Sequence, residues 1–376
     1  MSAGRLWTRV RSLLLYTCYL LVFAVLGLSL GGGLLLQKLQ ERIGDELRIT
    51  GGWFLLETPE VGVRVAPDVA VRYEEPPRRV DFHIYSDGEG LRVREKGARI
   101  QSPVDVLLVG GSFFFGWGVE AEDSVGEKLA LLSGLRVANG AIPAVGVESS
   151  LRTVQRLRGL EPRVVIYGFI DDHLRRAVCP CAATISPFCQ AVPYVAFDDD
   201  GRPVARDPVQ SVFAPTNATR STFEAVLRDG SVWATGYWGF RGALGLLYQR
   251  AALTCPEDPQ ARESAFLFSV GRLSKAVQEA GAALIVVYIP PLGYAGATPS
   301  LRLEALRNRP DLRLVDLRLA VMDHYMDPRR AGRSLVLERD FHPSAAAHDL
   351  FARELCRALE SGGYVEPARC SGTQPG

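Results

Sequence analysis

From residue 104 onward, short apolar runs of strand length alternate with segments of helical periodicity, and this alternation restricts the fold more than any other feature of the chain. The strand-like runs are 104–109 (VDVLLV), 135–138 (LRVA), 164–167 (VVIY), 283–289 (ALIVVYI) and 312–317 (LRLVDL). Helical stretches lie between and after them at 124–132, 148–157, 264–280, 301–308 and 345–359. Runs that are apolar on successive residues are buried on both faces, which a strand achieves in a parallel sheet covered by helices on both sides. The expected fold class is therefore α/β: a doubly wound parallel sheet flanked by helices over residues 104–362, followed by a tail at 363–376.

Residues 173–262 break the rhythm. They hold Cys179, Cys181 and Cys189, the turn Asp198-Asp199-Asp200-Gly201, and an aromatic patch of Trp233, Tyr237, Trp238 and Phe240. They read as an insertion at the C-terminal edge of the sheet, where doubly wound proteins bind ligands. Upstream, residues 51–103 carry short apolar runs broken by Pro and Gly and read as a small β-rich lead-in. Residues 37–50 are charged and helix-compatible and read as a stalk, so that stalk and lead-in together span 37–103.

Residues 13–36 are uncharged and rich in Leu, Val and aromatics. At about 1.5 Å per helical residue they are long enough for a bilayer core of about 30 Å. Arg5, Arg9 and Arg11 precede them, so residues 1–12 are expected in the cytoplasm and everything after 36 on the exported side. A cleaved signal peptide is the competing reading; the length of the run and the lack of an Ala-x-Ala-like site favour an uncleaved transmembrane helix. Of the 7 cysteines, Cys18 lies in this run and the others are Cys179, Cys181, Cys189, Cys255, Cys356 and Cys370, an even set that an oxidising compartment would pair. Cys356 with Cys370 is the natural local pair, and the remaining connectivity stays open. No metal is expected at the cysteine cluster, because the nearby His is His173 and the spacing matches no common zinc pattern. The formal net charge of +1, with basic and acidic residues interspersed, gives no reason to expect a nucleic-acid partner.

Two motifs carry chemistry. Gly110-Gly111-Ser112-Phe113-Phe114-Phe115-Gly116-Trp117-Gly118 follows the first strand directly. A Ser in a tight glycine turn at a strand tip exposes its hydroxyl and aims its own N–H into the site, as a nucleophile and oxyanion donor require. A glycine turn with an incidental Ser is the bland alternative; a phosphate loop would need Gly-Lys-Ser/Thr, which is absent. At the far end, Arg339-Asp340-Phe341-His342-Pro343-Ser344 stands before the last helix. One loop can then supply a general base, His342, and its orienting carboxylate, Asp340. The alternative there is a helix-start turn with Ser344 as N-cap and His342 exposed. His173 could line the cleft, although a surface-loop His is the favoured reading, and His83, His324 and His348 read as structural or exposed.

Taken in order, these motifs resemble the SGNH (GDSL-type) hydrolase superfamily over roughly residues 58–360. Gly110-Gly111-Ser112 is similar to the family's Gly-Asp-Ser motif, with Gly111 where Asp is usual. Residues 139–144 (NGAIPA) resemble the second block, with Ala144 where the oxyanion glycine falls, and residues 167–172 (YGFIDD) resemble the third, with Asp171 where the oxyanion Asn would be. Asp340 and His342 match the terminal Asp-x-His. The resemblance implies Ser112, His342 and Asp340 as the catalytic residues and Ala144 and Asp171 as the oxyanion or substrate-binding positions, with no cofactor. An ionised Asp171 would oppose an oxyanion, so it is protonated, or turned to an arginine such as Arg175 or Arg176, or the site is weak.

The function this implies is a serine-dependent ester hydrolase or O-acyltransferase on the exported side of a membrane, with an acylated small molecule or cell-envelope glycan as substrate. A catalytically inactive SGNH domain serving as a binding or assembly module is the second reading, and labelling by a fluorophosphonate separates the two.

Overall fold

The computed structural model describes residues 11, 14–27, 30–31, 34, 48–50, 54–181, 191–208, 255–293, 303–330, 332–367 and 369–370. The chain divides into a unit of residues 1–45, 186–189 and 211–253 and a unit of the remainder. In the first, residues 14–27 are helical with exposed side chains. Among the described residues no helix is long and apolar enough to cross a membrane; the expected span 13–36 lies partly outside them, and the aromatic patch at 233–240 lies wholly outside.

The second unit is built on one nine-stranded sheet. In chain order its strands are β1 (Arg48–Thr50), β4 (Ala70–Glu75), β5 (Val80–Ser86), β6 (Arg92–Val93), β7 (Val106–Gly110), β8 (Val137–Asn139), β9 (Val164–Phe169), β12 (Ala283–Tyr288) and β13 (Arg313–Asp316); β2 (Leu55–Thr58) pairs with β3 (Gly62–Val65), and β10 (Tyr194–Phe197) with β11 (Pro203–Arg206), as separate hairpins. Across the sheet the order is β1-β4-β5-β6-β8-β7-β9-β12-β13. Every pairing from β8 to β13 is parallel. Numbered within that parallel part alone, the order is second, first, third, fourth, fifth, the doubly wound arrangement whose chain direction reverses beside the first strand.

The apolar runs explain why these strands are central. Successive side chains of a strand point to opposite faces. In β7, Val106 and Leu108 enter the core on one face while Leu107 and Val109 enter the core on the other. β9 divides likewise, with Val164 and Ile166 on the first face and Val165, Tyr167 and Phe169 on the second. The first core is closed by helices α2 (Val125–Ser133), α7 (Arg318–Met326) and α8 (Ala345–Ser361), and the second by α3 (Val147–Arg156), α4 (Asp172–Val178), α5 (Pro259–Glu279) and α6 (Glu304–Arg307). α5 starts where Asp258 accepts from the backbone N–H groups of Gln260 and Ala261, with Pro259 at the first position.

The stalk and lead-in are corrected by the structure. Residues 48–50 are a strand, with Ile49 opposite Tyr73, and not part of a helix. Within the lead-in, β4, β5 and β6 extend the central sheet antiparallel, joined through Arg92 opposite Asn139, so that sheet begins upstream of residue 104. The alternation that licenses this is visible in β5, where Val80, Phe82, Ile84 and Ser86 are buried and the residues between them are not. The insertion begins later than residue 173, because 172–178 form a helix packed in the second core. Cys356 and Cys370 are bonded, as are Cys179 and Cys255, which ties the end of α4 to the approach to α5. Cys18 is free and exposed.

Candidate active site

Ser112 opens a one-turn helix, α1 (Ser112–Phe115), at the tip of β7. The glycines before it are dictated by crowding. Gly110 has φ of 144°, and a Cβ there would stand 2.5 Å from the Gly168 carbonyl oxygen of the neighbouring strand. The turn is held from two sides. Asn139 donates from Nδ2 to the Phe114 carbonyl and accepts from the Ala141 N–H. Arg92, buried in the lead-in, donates to the carbonyls of Phe115, Gly116 and Val119 and stacks on the Phe115 ring. Burial lowers the Arg92 guanidinium to about 10, so it remains a cation at neutral pH.

His342 and Asp340 come from the loop before α8. That loop is a tight turn in which the Leu337 N–H bonds the His342 carbonyl and Arg339 takes φ of 62°. Ser344 caps α8, accepting from Ala347. The helix-start reading of this loop is therefore true at Ser344 and fails at His342, which is buried rather than exposed.

The structure brings Ser112, His342 and Asp340 together. Ser112 Oγ lies 2.9 Å from His342 Nε2, and His342 Nδ1 lies 2.6 Å from Asp340 Oδ1. Asp340 Oδ1 also accepts from the His342 backbone N–H, at 2.9 Å. Asp340 has no proton to give when ionised, so Nδ1 carries the hydrogen and Nε2 is left to accept from Ser112. Burial pushes the Asp340 carboxyl up, but the hydrogen bonds and charge of His342, with Arg78 adding, outweigh it and hold the carboxyl below its ordinary value. Arg78, from the lead-in, stands 3.7 Å from Asp340 Oδ2 and 3.2 Å from Glu75. The imidazole is packed against Phe113, Trp117 and Phe341.

Ala144 sits at φ of 66°, the left-handed backbone that a glycine takes without cost. Its loop lies against Arg176, which donates to the Val145 carbonyl at 3.1 Å. Asp171 is the residue before α4, and its Oδ1 accepts from the Tyr288 hydroxyl at 3.2 Å. Arg175 and Arg176 both pair with its neighbour Asp172, at 2.8 and 2.7 Å. Burial raises the Asp172 carboxyl, but these two arginines prevail and bring it to about 2.

His173 differs from its sequence reading. It is 2% exposed, on α4, with Nδ1 at 2.7 Å from the Tyr167 hydroxyl. The reason is Gly111: a Cβ there would stand 2.8 Å from His173 Nε2 and 3.3 Å from Arg176 Nη1. The imidazole thus occupies the space that a side chain at position 111 would need. Burial, with the charge of Arg176, lowers His173 to about 3. His348 is fully buried, His324 bonds the Arg333 carbonyl, and His83 pairs with Glu120. Arg78 was missed in the sequence, where it stands near no motif, and Arg92, which ends a segment at 86–92 resembling one upstream of the Gly-Asp-Ser motif, carries no sign there of its hold on the Ser112 turn; the Asp172–Arg176 spacing of four on a helix was a readable signal.

Beside the triad lies a cavity of about 640 Å³ whose walls include Phe113, Ile170, Ile289, Leu337 and Phe341, with Arg78, Arg339 and Asp171 supplying polar groups. No group of three or more His, Cys, Asp or Glu able to hold a metal occurs among the described residues.

No family model matches the chain, and no curated protein does. Solved structures do. One is titled a lipolytic protein of the G-D-S-L family from Desulfitobacterium hafniense, with 12% identity, TM-score 0.37, and coverage of 68% of this chain and 99% of that one. Another is an acetyl xylan esterase from Butyrivibrio proteoclasticus, with 11% identity, TM-score 0.34, and coverage of 72% and 67%. A third is a family two carbohydrate esterase from Clostridium thermocellum, with 10% identity, TM-score 0.34, and coverage of 75% and 70%. Likeness at that level leaves the chemistry to the residues of this chain. The chain's own geometry is a doubly wound α/β sheet with a Ser at the tip of the first parallel strand and an Asp-x-His loop before the last helix.

Proposed function

We propose that this chain is an SGNH-type serine esterase or O-acyltransferase, with Ser112 as nucleophile, His342 as general base and acid, and Asp340 as the carboxylate that orients His342. The observation that carries this reading is the continuous Ser112–His342–Asp340 hydrogen-bonded line, at 2.9 and 2.6 Å. His342 Nε2 takes the hydroxyl proton as Ser112 Oγ bonds to the acyl carbon of an ester. The tetrahedral adduct collapses with loss of the alcohol, which receives that proton, and leaves an acyl-serine. Water completes a hydrolysis; a sugar hydroxyl completes a transfer. The same acyl-enzyme serves both, so the acceptor decides. The Ser112 and Ala144 backbone N–H groups are the oxyanion donors in this reading, and the positive φ of Ala144 supports its part.

An acylated small molecule or cell-envelope glycan, reached on the exported side of a membrane, is the substrate setting that the SGNH resemblance and residues 13–36 favour. The disulfides Cys179–Cys255 and Cys356–Cys370 support an oxidising compartment. Protease added to the exported face of intact cells is expected to remove the bulk of the chain; full protection there would rule the topology out. Activity is tested with a panel of short-chain acyl esters, with and without a glycan acceptor, alongside fluorophosphonate labelling. Labelling at Ser112 with ester turnover is expected. Absence of both would leave the inactive binding module as the better reading.

A further inference from the structure

Three observations converge on His173. The first is tautomeric. The Tyr167 hydroxyl is buried, and its one hydrogen-bond partner among the described residues is His173 Nδ1. If Nδ1 carried the proton, the hydroxyl hydrogen would be left buried without an acceptor, at substantial cost. The satisfied arrangement has Tyr167 donating to Nδ1, which puts the imidazole hydrogen on Nε2. The second is place. Nε2 faces Gly111, whose missing side chain is what admits it. Gly111, Ser112, Phe113, Ile170 and His173 line one narrow void with no room for a water molecule, so ring and nucleophile border a gap that a substrate oxygen must widen to enter. Among the described residues Nε2 has no hydrogen-bond partner of its own. The third concerns Asp171. Its Oδ1 accepts from the Tyr288 hydroxyl, so that oxygen is turned to a donor of the fold rather than to an oxyanion.

We propose that His173 is a catalytic residue that donates a hydrogen bond from Nε2–H to the substrate's carbonyl oxygen as it becomes an oxyanion, the role read in the sequence for Asp171. The inference rests on the reading of Ser112 as an acyl-transfer nucleophile. A neutral imidazole suits the task, because it donates without requiring a counter-charge and exchanges no proton during the reaction. Arg176 and burial keep the ring neutral across the working range. Gly111 and His173 are then a matched pair: the motif gives up its carboxylate, and the helix after β9 supplies a donor in the vacated space.

The test uses the full chain and an activated acyl ester. His173→Phe keeps the ring volume and removes the donor. Its kcat is expected to fall roughly 10²–10³-fold with KM little changed. A trifluoromethyl ketone, whose adduct with Ser112 carries the oxyanion, is expected to lose affinity in parallel. His173→Gln, which can accept from Tyr167 and still donate, is expected to recover turnover to within about tenfold of wild type. A role in packing alone would lower the melting temperature of the Phe variant without weakening the ketone relative to the ester, and that result overturns the proposal. Should His173→Phe not fold, Tyr167→Phe retains the imidazole but releases its tautomer, and a kcat identical to wild type would overturn the proposal equally. Wild-type protein that neither turns over esters nor labels with fluorophosphonate defeats the reading of Ser112, and this inference with it; active wild type with an active His173→Phe defeats this inference alone.

Discussion

Ser112→Ala is expected to lower ester turnover by roughly 10⁴–10⁶-fold, and His342→Ala by a similar factor, with the double variant no worse than either. The magnitude follows from the geometry. Ser112 Oγ and His342 Nε2 are a single hydrogen-bonded unit at 2.9 Å, so the loss of either partner removes the whole covalent route. What survives is whatever the backbone donors and the cavity contribute to binding. The Ser112 variant is also expected to keep its fold. The turn that presents the residue is shaped by Gly110, Asn139 and Arg92, none of which contacts the hydroxyl. Fluorophosphonate labelling is expected to vanish with Ser112→Ala and to slow with His342→Ala, because the probe needs an activated nucleophile as the ester does. Steady-state kinetics with a melting curve for each variant check this, and a Ser112→Ala protein with full turnover would move the chemistry elsewhere.

The fold was legible where its determinants are local. Runs such as VLLV at 106–109 and ALIVVYI are apolar on every residue because β7 and β12 lie between two layers of helices, and nothing distant is needed to read that. Ser112 and the Asp340–His342 pair were legible for the same reason, since one motif follows a recognisable strand and the other precedes a recognisable helix. The pairing of the lead-in was not. β6 meets β8 through Arg92 and Asn139, 47 positions apart, and no local pattern sets that register. It follows that the clamp Arg92 places on the Ser112 turn, and the position of Arg78 beside Asp340, could not be found from their neighbours in sequence. The surface-loop reading of His173 failed because nothing local marks the space that the absent side chain of Gly111 leaves for its ring. At Ala144 the sequence showed a missing glycine, while the backbone keeps the conformation a glycine would adopt.

Asp340→Asn is expected to reduce kcat by roughly 10³–10⁴-fold, less than the loss of Ser112, with KM nearly unchanged. Asp340 Oδ1 accepts from both Nδ1 and the backbone N–H of His342, so the carboxylate fixes the ring and selects the tautomer. An Asn can turn its amide toward Nδ1 and donate to it. The hydrogen then moves to Nε2, which can no longer accept from Ser112. The stability of the variant carries a second, independent signature. The carboxyl of Asp340 is held below its ordinary value in the folded chain, against the push of burial, by His342 and then Arg78. A carboxyl depressed on folding contributes stability above its unfolded value, near 4, and loses that contribution as pH falls through the folded value. Wild type is therefore expected to lose melting temperature on acidification below about pH 4 more steeply than the Asn variant, whose amide does not titrate. Above that range the order of the two proteins is set by whether the buried Oδ2, which has no hydrogen-bond partner, is better served as a carboxylate facing Arg78 or as a neutral amide. Activity and melting curves measured on the same samples from about pH 3 to 8 separate the two effects. If kcat in Asp340→Asn stayed within a few-fold of wild type while the acid limb flattened, Asp340 would be a structural partner of Arg78 and His342, and His342 would act as base without it.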